Sequence, residues 1–110
     1  MSAAEAAGVI YEVNLDLDAV IRAEYLAWLD AHVREICALP GFVAATVFDV
    51  LDPAAEPGHE RLCVQYTLSD AAALDAYLRE HAPRMRAEGV ARFGERFRAS
   101  RRVLQPRQTV

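Results

Sequence analysis

The chain has 110 residues, 54% of them hydrophobic and 25% charged, and carries a formal net charge of -4. That size and balance describe one globular domain and exclude a disordered chain, and no apolar run approaches the roughly 18 residues of a membrane span. "MSAAEAAG" has neither the basic start nor the apolar stretch of a secretory signal, so a cytoplasmic protein is expected. Cys37 and Cys63 lack a CxxC spacing and read as two reduced, packed thiols. A domain this small has little interior volume for a deep pocket of its own, so a ligand site forms more easily between subunits.

Residues 1–8 read as a flexible extension, 9–104 as the folded domain and 105–110 as a tail. "VIYEVNLDL" alternates, with Val9, Tyr11, Val13, Leu15 and Leu17 on one side and Ile10, Glu12, Asn14 and Asp16 on the other, which predicts a half-buried strand. Asp18 is placed to cap a helix from about Ala19 to Ala38, which "LPGF" ends because Pro40 and Gly41 cannot continue it. "FVAATVFDVL" follows as a strand apolar on both faces. "DPAAEPGHE" is a loop, and "RLCVQYTL" alternates again, Leu62, Val64, Tyr66 and Leu68 against Arg61, Cys63, Gln65 and Thr67. Ser69 or Asp70 caps a second helix to about Glu80, Pro83 begins a third towards Phe93, and "FRASRRVL" is the last strand.

"DAVIRAEYL" and "DAAALDAYL" share D-A-x5-Y-L, so the two halves read as copies of one βαβ unit. Two such units predict an α+β, ferredoxin-like βαββαβ fold: an antiparallel four-stranded sheet in order 4-1-3-2, with helices on one face.

Within the first helix, Tyr25, Leu29 and Ile36 centre an apolar stripe, with Trp28 and His32 along one edge and Cys37 along the other. His32 has no carboxylate four residues before or after it to orient it as a base, so it reads as a packed or interface histidine, and Trp28 and Cys37 as packing residues. There is no glycine-rich phosphate loop, no His or Cys pair spaced for a metal and no nucleophile elbow, so neither metal nor cofactor is expected. His59 reads as a loop residue, and His81 as part of a helix terminus beside Pro83.

Charge divides the chain. Residues 1–78 carry three Arg against thirteen acids, and residues 79–110 nine Arg against three. A basic face for phosphate or RNA is one reading; the basic third folding onto the acidic part is the preferred one, so no nucleic-acid partner is expected.

The sheet face away from the helices should carry Glu12, Asn14, Gln65, Arg98, Ser100 and Arg102. Cross-strand pairing of acids with arginines is the structural account of that face. Val43, Ala45, Val47 and Leu51 of the second strand are too apolar for a solvated face, and a second copy of the chain is the simplest cover.

"IYEVNLDL", "YLAWLDAHVREICALPGF", "LCVQYTL" and "LDAYLREHAPRMRAEGVARFGERFRASRRVL" closely resemble, over residues 9–104, an uncharacterised bacterial family, domain of unknown function 4286. The resemblance implies the dimeric α+β barrel superfamily, in which two ferredoxin-like sheets face each other across an enclosed space. Its members include cofactor-independent monooxygenases, haem-degrading enzymes, dismutases and ligand-binding modules. The haem-degrading branch uses an Asn on the first strand, a Trp on the third and a His on the second helix. Asn14 and His81 fall near two of these places, but Gln65 and Tyr66 stand where the Trp would be, which argues against haem chemistry. "LPGF" is similar to the monooxygenase branch, although a helix stop needs only Pro and Gly.

The function expected is therefore a homodimer binding a small organic molecule between its sheets, lined by Glu12, Asn14, Gln65, Arg98, Ser100 and Arg102. An enzyme version would be monooxygenase-like or isomerase-like without a cofactor, Asn14 and Gln65 polarising an oxygen and Arg102 stabilising an enolate. The competing reading is a purely structural or interaction module. A buried cavity with unpaired polar groups separates the two from a face closed by its own side chains.

Overall fold

The computed structural model describes residues 8–110; the expected extension at residues 1–8 lies outside it except for Gly8. Strand β1 (Val9–Asp18) leads through a single tight turn, Ala19–Ile21, into helix α1 (Arg22–Cys37). The Asp18 carboxylate accepts from the Val20 N–H at 2.9 Å, as a cap should. This turn is tighter than the α-helix expected from Ala19, because the Arg22 N–H bonds back to the Ala19 carbonyl, three residues away.

Strand β2 (Phe42–Asp49) and strand β3 (His59–Leu68) follow, then α2 (Ala71–Glu80), α3 (Ala82–Phe93), a tight turn at Gly94–Arg96 and β4 (Phe97–Leu104). Asp70, rather than Ser69, caps α2, accepting from the Ala73 N–H at 2.8 Å. The sheet is antiparallel in the order β2-β3-β1-β4, the ferredoxin-like arrangement. Residues 105–110 form neither helix nor strand, and no described helix is long and apolar enough to cross a membrane.

Alternation in β1 and β3 places Tyr11, Leu15, Leu17, Leu62, Val64, Tyr66 and Leu68 under the helices, where they are buried with Tyr25, Leu29, Ile36, Tyr77, Met85 and Phe93. β2 departs from the expected alternation. A bulge between Phe42 and Ala44 leaves Val43 67% exposed and shifts the strand by one residue, so Ala45 pairs with Tyr66 and Val47 with Val64 on the helix side. The open face therefore receives Ala44, Thr46 and Phe48 rather than Val43, Ala45 and Val47, and Leu51 lies beyond the strand.

The charge division is also only partly resolved by folding. Of the nine arginines after residue 78, Arg84 reaches Glu35 and Arg102 reaches Glu12; no other forms an ion pair with an acid of residues 8–78.

The stop between α1 and β2 depends on Gly41, whose φ is +87° and at which a Cβ would collide with the Ala73 Cβ. Gly41→Ala should lose at least about 2 kcal/mol, the sum of the left-handed backbone cost and overpacking against α2. Urea denaturation checks this, and a loss under about 0.5 kcal/mol, the range of an inert surface change, would show the turn to be adaptable.

Candidate functional site

All six residues expected on the open face lie there, but they divide into two groups. Glu12, only 3% exposed, is flanked by Gln65 on β3 and Arg102 on β4. The Gln65 Nε2 donates to its Oε1 at 2.9 Å, the Asn14 Nδ2 to its Oε2 at 2.9 Å, and the Arg102 guanidinium engages both oxygens. The Arg102 and Asn14 hydrogen bonds hold the Glu12 carboxyl down at about 2, against the upward push of burial. Burial and that carboxylate push the adjacent Cys63 thiol up, leaving it protonated. Asn14, Gln65 and Arg102 thus use hydrogen-bonding capacity on Glu12 that an oxygen-activating role would need.

The second group lies nearer the far end of β1. Asn14, Ser100 and Arg98 border a shallow groove with Asp16, Arg61 and Pro53. Asp16 does not pair with its cross-strand neighbour Arg98; its oxygens are taken by His59 Nδ1 at 2.7 Å and Arg61 Nε at 3.4 Å.

The opposite face holds a different kind of space. A slot of about 50 Å³ remains between the sheet and helices α1 and α3. All four tyrosines of the chain, Tyr11, Tyr25, Tyr66 and Tyr77, line it, together with Trp28, His32, Arg86 and Arg101. The strand tyrosines arrive by alternation; Tyr25 and Tyr77 are the tyrosines of the repeated D-A-x5-Y-L segment. Trp28 and His32, one helical turn apart, stack at 4.3 Å between ring centroids. Gly89 of α3 lets the helix approach them, since a Cβ there would stand 3.0 Å from the Trp28 ring.

The slot's lining is mainly apolar, and its polar groups are uncharged except at the two arginines. Burial pushes the Tyr25 and Tyr66 hydroxyls well above the ordinary phenol range and Tyr77 to about 12, so all three stay protonated at neutral pH. Burial also lowers His32, and the Arg101 charge adds to this against the opposing pull of Glu35. The geometry agrees: the His32 Nδ1 is sealed from solvent with no hydrogen-bond partner, and a proton there would be a buried donor without an acceptor. Among the described residues the one side-chain hydrogen bond within the lining runs from Arg86 Nη2 to the Tyr11 hydroxyl at 2.9 Å.

Sequence reasoning placed His32 and Trp28 correctly on the apolar edge of α1, and read His32 as a packed or interface histidine and Trp28 as a packing residue. It also took Arg101 as one of an undifferentiated basic run. The available signal was its register: Phe97, Ala99, Arg101 and Val103 alternate on the helix side of β4, so Arg101 is a charged residue in a core-facing series. Among the described residues, no group of three or more His, Cys, Asp or Glu side chains is gathered as a metal site requires.

The chain belongs to the family described as Domain of unknown function (DUF4286), which matches residues 8–107. No curated protein matches it. Among solved structures it resembles a single-residue mutant of SnoaB of Streptomyces nogalater, described as a cofactor-independent oxygenase: TM-score 0.69, 17% identity, 93% of this chain and 96% of that one. Rv0793 of Mycobacterium tuberculosis aligns at TM-score 0.67 with 21% identity, over 93% and 97% of the two chains. A dimeric ferredoxin-like protein from an uncultured marine organism aligns at TM-score 0.64 with 13% identity, over 94% and 99%. At these identities the likeness is one of fold.

The Glu12 network has a pH signature. Its carboxyl titrates near 2 in the fold against an ordinary 4.5, so below about 4.5 the unfolded chain takes up a proton that the folded chain refuses. The contribution is complete above that value and declines as pH falls towards 2. Glu12→Gln should flatten this decline while costing about 1–2 kcal/mol at neutral pH, a discounted figure because the Arg102 side chain is 65% exposed. His32, lowered from 6.5, destabilises the fold in a separate window just below pH 6.5. Urea midpoints of both proteins from pH 2 to 5 test the first window; parallel curves would remove Glu12 as its source.

Proposed function

We propose, from the premise of that family membership, that this protein is a homodimer which binds a small planar organic molecule in the slot between its sheet and helices α1 and α3. The observation that carries this is the convergence of all four tyrosines with Trp28 and His32 on one unfilled space. A slot lined by rings, with phenol donors and a neutral imidazole free to orient a guest, has the character of a small-molecule site. Its present volume of about 50 Å³ holds a few small atoms. An apolar cavity of roughly 150 Å³ accommodates benzene, so in this smaller slot a ring enters as Trp28 and α3 yield. The catalytic form of this reading is cofactor-free oxidation by dioxygen or isomerisation, with Arg101 holding the enolate form of the guest.

The open face has another use. Phe48 is 43% exposed on it, next along the strand to Thr46, and the Glu12 charge is already paired. A second copy laid on this face covers Phe48 while the Glu12 charge stays paired, and the structural likeness to a protein described as dimeric supports that. A second ligand reading keeps the molecule between two such faces, in the groove bordered by Asn14, Ser100 and Arg98.

Light scattering should give about twice the 12.2 kDa chain mass; a monomer at all concentrations would remove the pairing. Native mass spectrometry of protein purified without additives should then separate the two sites. In Gly89→Ala, whose new methyl meets the Trp28 ring, a co-purified molecule should be lost while the circular dichroism spectrum is kept. Full retention in that variant with loss in Asn14→Ala would move the site to the space between the sheets.

A further inference from the structure

The charge of the slot's lining narrows what it can hold. No aspartate or glutamate lines it, whereas Arg86 from α3 and Arg101 from β4 both do. Neither guanidinium forms an ion pair among the described residues, unlike Arg84 and Arg102 of the same basic stretch. Arg86 is held by a single hydrogen bond to the Tyr11 hydroxyl, which occupies one of its five N–H donors and fixes it at the slot. Arg101 stands opposite Val13, another lining residue, on the helix side of the sheet. The remaining polar groups are neutral: protonated phenols able to donate, and an imidazole without a positive charge of its own.

A cationic guest would meet two like charges and no acceptor of opposite sign. A neutral guest would fit the rings but leave both guanidiniums to water. An anion attached to a ring satisfies the whole lining, the ring against Trp28 and the negative oxygens within a fork of charge-assisted donors. Resting on the slot reading above, we propose that the ligand is a small aromatic or enolic anion, a carboxylate, phenolate or enolate, whose charge is met jointly by Arg86 and Arg101.

The test uses three probes of one shape and different charge: benzoate, benzamide and benzamidinium. Each is titrated into the full chain at near-physiological salt, following the indole N–H of Trp28, the chain's only Trp, by nuclear magnetic resonance. Benzoate should bind at least tenfold more tightly than benzamide, and benzamidinium should not saturate the signal. Arg86→Ala and Arg101→Ala should each remove most of the preference for benzoate over benzamide. Arg107→Ala, which removes one positive charge from the tail, should leave the preference intact.

Equal binding of benzoate and benzamide would overturn the anion assignment and leave the slot standing. A benzoate preference that survives Arg86→Ala and Arg101→Ala but disappears in Arg98→Ala would place the anion on the open face and overturn it too. Silence of the Trp28 signal with all three probes would remove the slot reading itself, and the anion with it.

Discussion

Burying the Glu12 carboxylate is the constraint on which the sheet depends. A charge taken out of water costs several kcal/mol unless it is paired and hydrogen-bonded. Here the compensation comes from three strands at once: Asn14 on β1 itself, Gln65 on β3 and Arg102 on β4. β3 and β4 are thus pinned to β1 at one level of the sheet by side chains as well as by the ladder. A side chain that must find its partners on both neighbours specifies the register more sharply than apolar packing, which tolerates exchange of similar volumes.

That register has a consequence on the other side of the sheet. Side chains alternate, so fixing Arg102 opposite Glu12 also fixes Arg101, its neighbour, opposite Val13 on the helix face. A slip of β4 by one residue would move Arg101 out of the slot and Arg102 into it, and strand Glu12 without its cation. The closed network on the open face and the open lining of the slot are therefore two results of one alignment. The same holds for β1, where Glu12 lies between Tyr11 and Val13, both of them lining residues.

Much of the fold was legible because it depends on local rules. Alternation in "VIYEVNLDL" and "RLCVQYTL" gave the two central strands their faces, the Asp18 and Asp70 caps marked helical starts, and the repeated D-A-x5-Y-L pointed to paired βαβ units. β2 was misread because its sequence is apolar on both faces, so nothing in the alternation reports the extra residue at Val43 that exchanges them. The open-face residues were found because strand parity alone places them. The slot was not, because it depends on how closely α3 approaches α1. Gly89, Trp28 and Phe97 meet from distant parts of the chain, and only the assembled core shows that Gly89 leaves just enough room for the indole. Sequence spacing showed His32 beside Trp28 but not that its Nδ1 would be sealed without a partner.

The distribution of arginines can be understood in the same terms. In a basic third folded simply against an acidic part, most of its guanidiniums would end on carboxylates of the first 78 residues. Instead the pairing is selective. Arg102 neutralises the one buried acid and Arg84 ties α3 to α1 through Glu35, while Arg86 and Arg101 remain uncommitted around a space that contains no acid. An uncommitted charge beside an aromatic slot adds little to the stability of the fold, because it is hydrated whether the chain is folded or not. Its worth lies in what enters the slot: when a guest displaces water there, the surviving interactions strengthen as the local dielectric falls. On the slot reading proposed above, stability and recognition fall to opposite faces of one sheet, and adjacent residues on β4 serve one each.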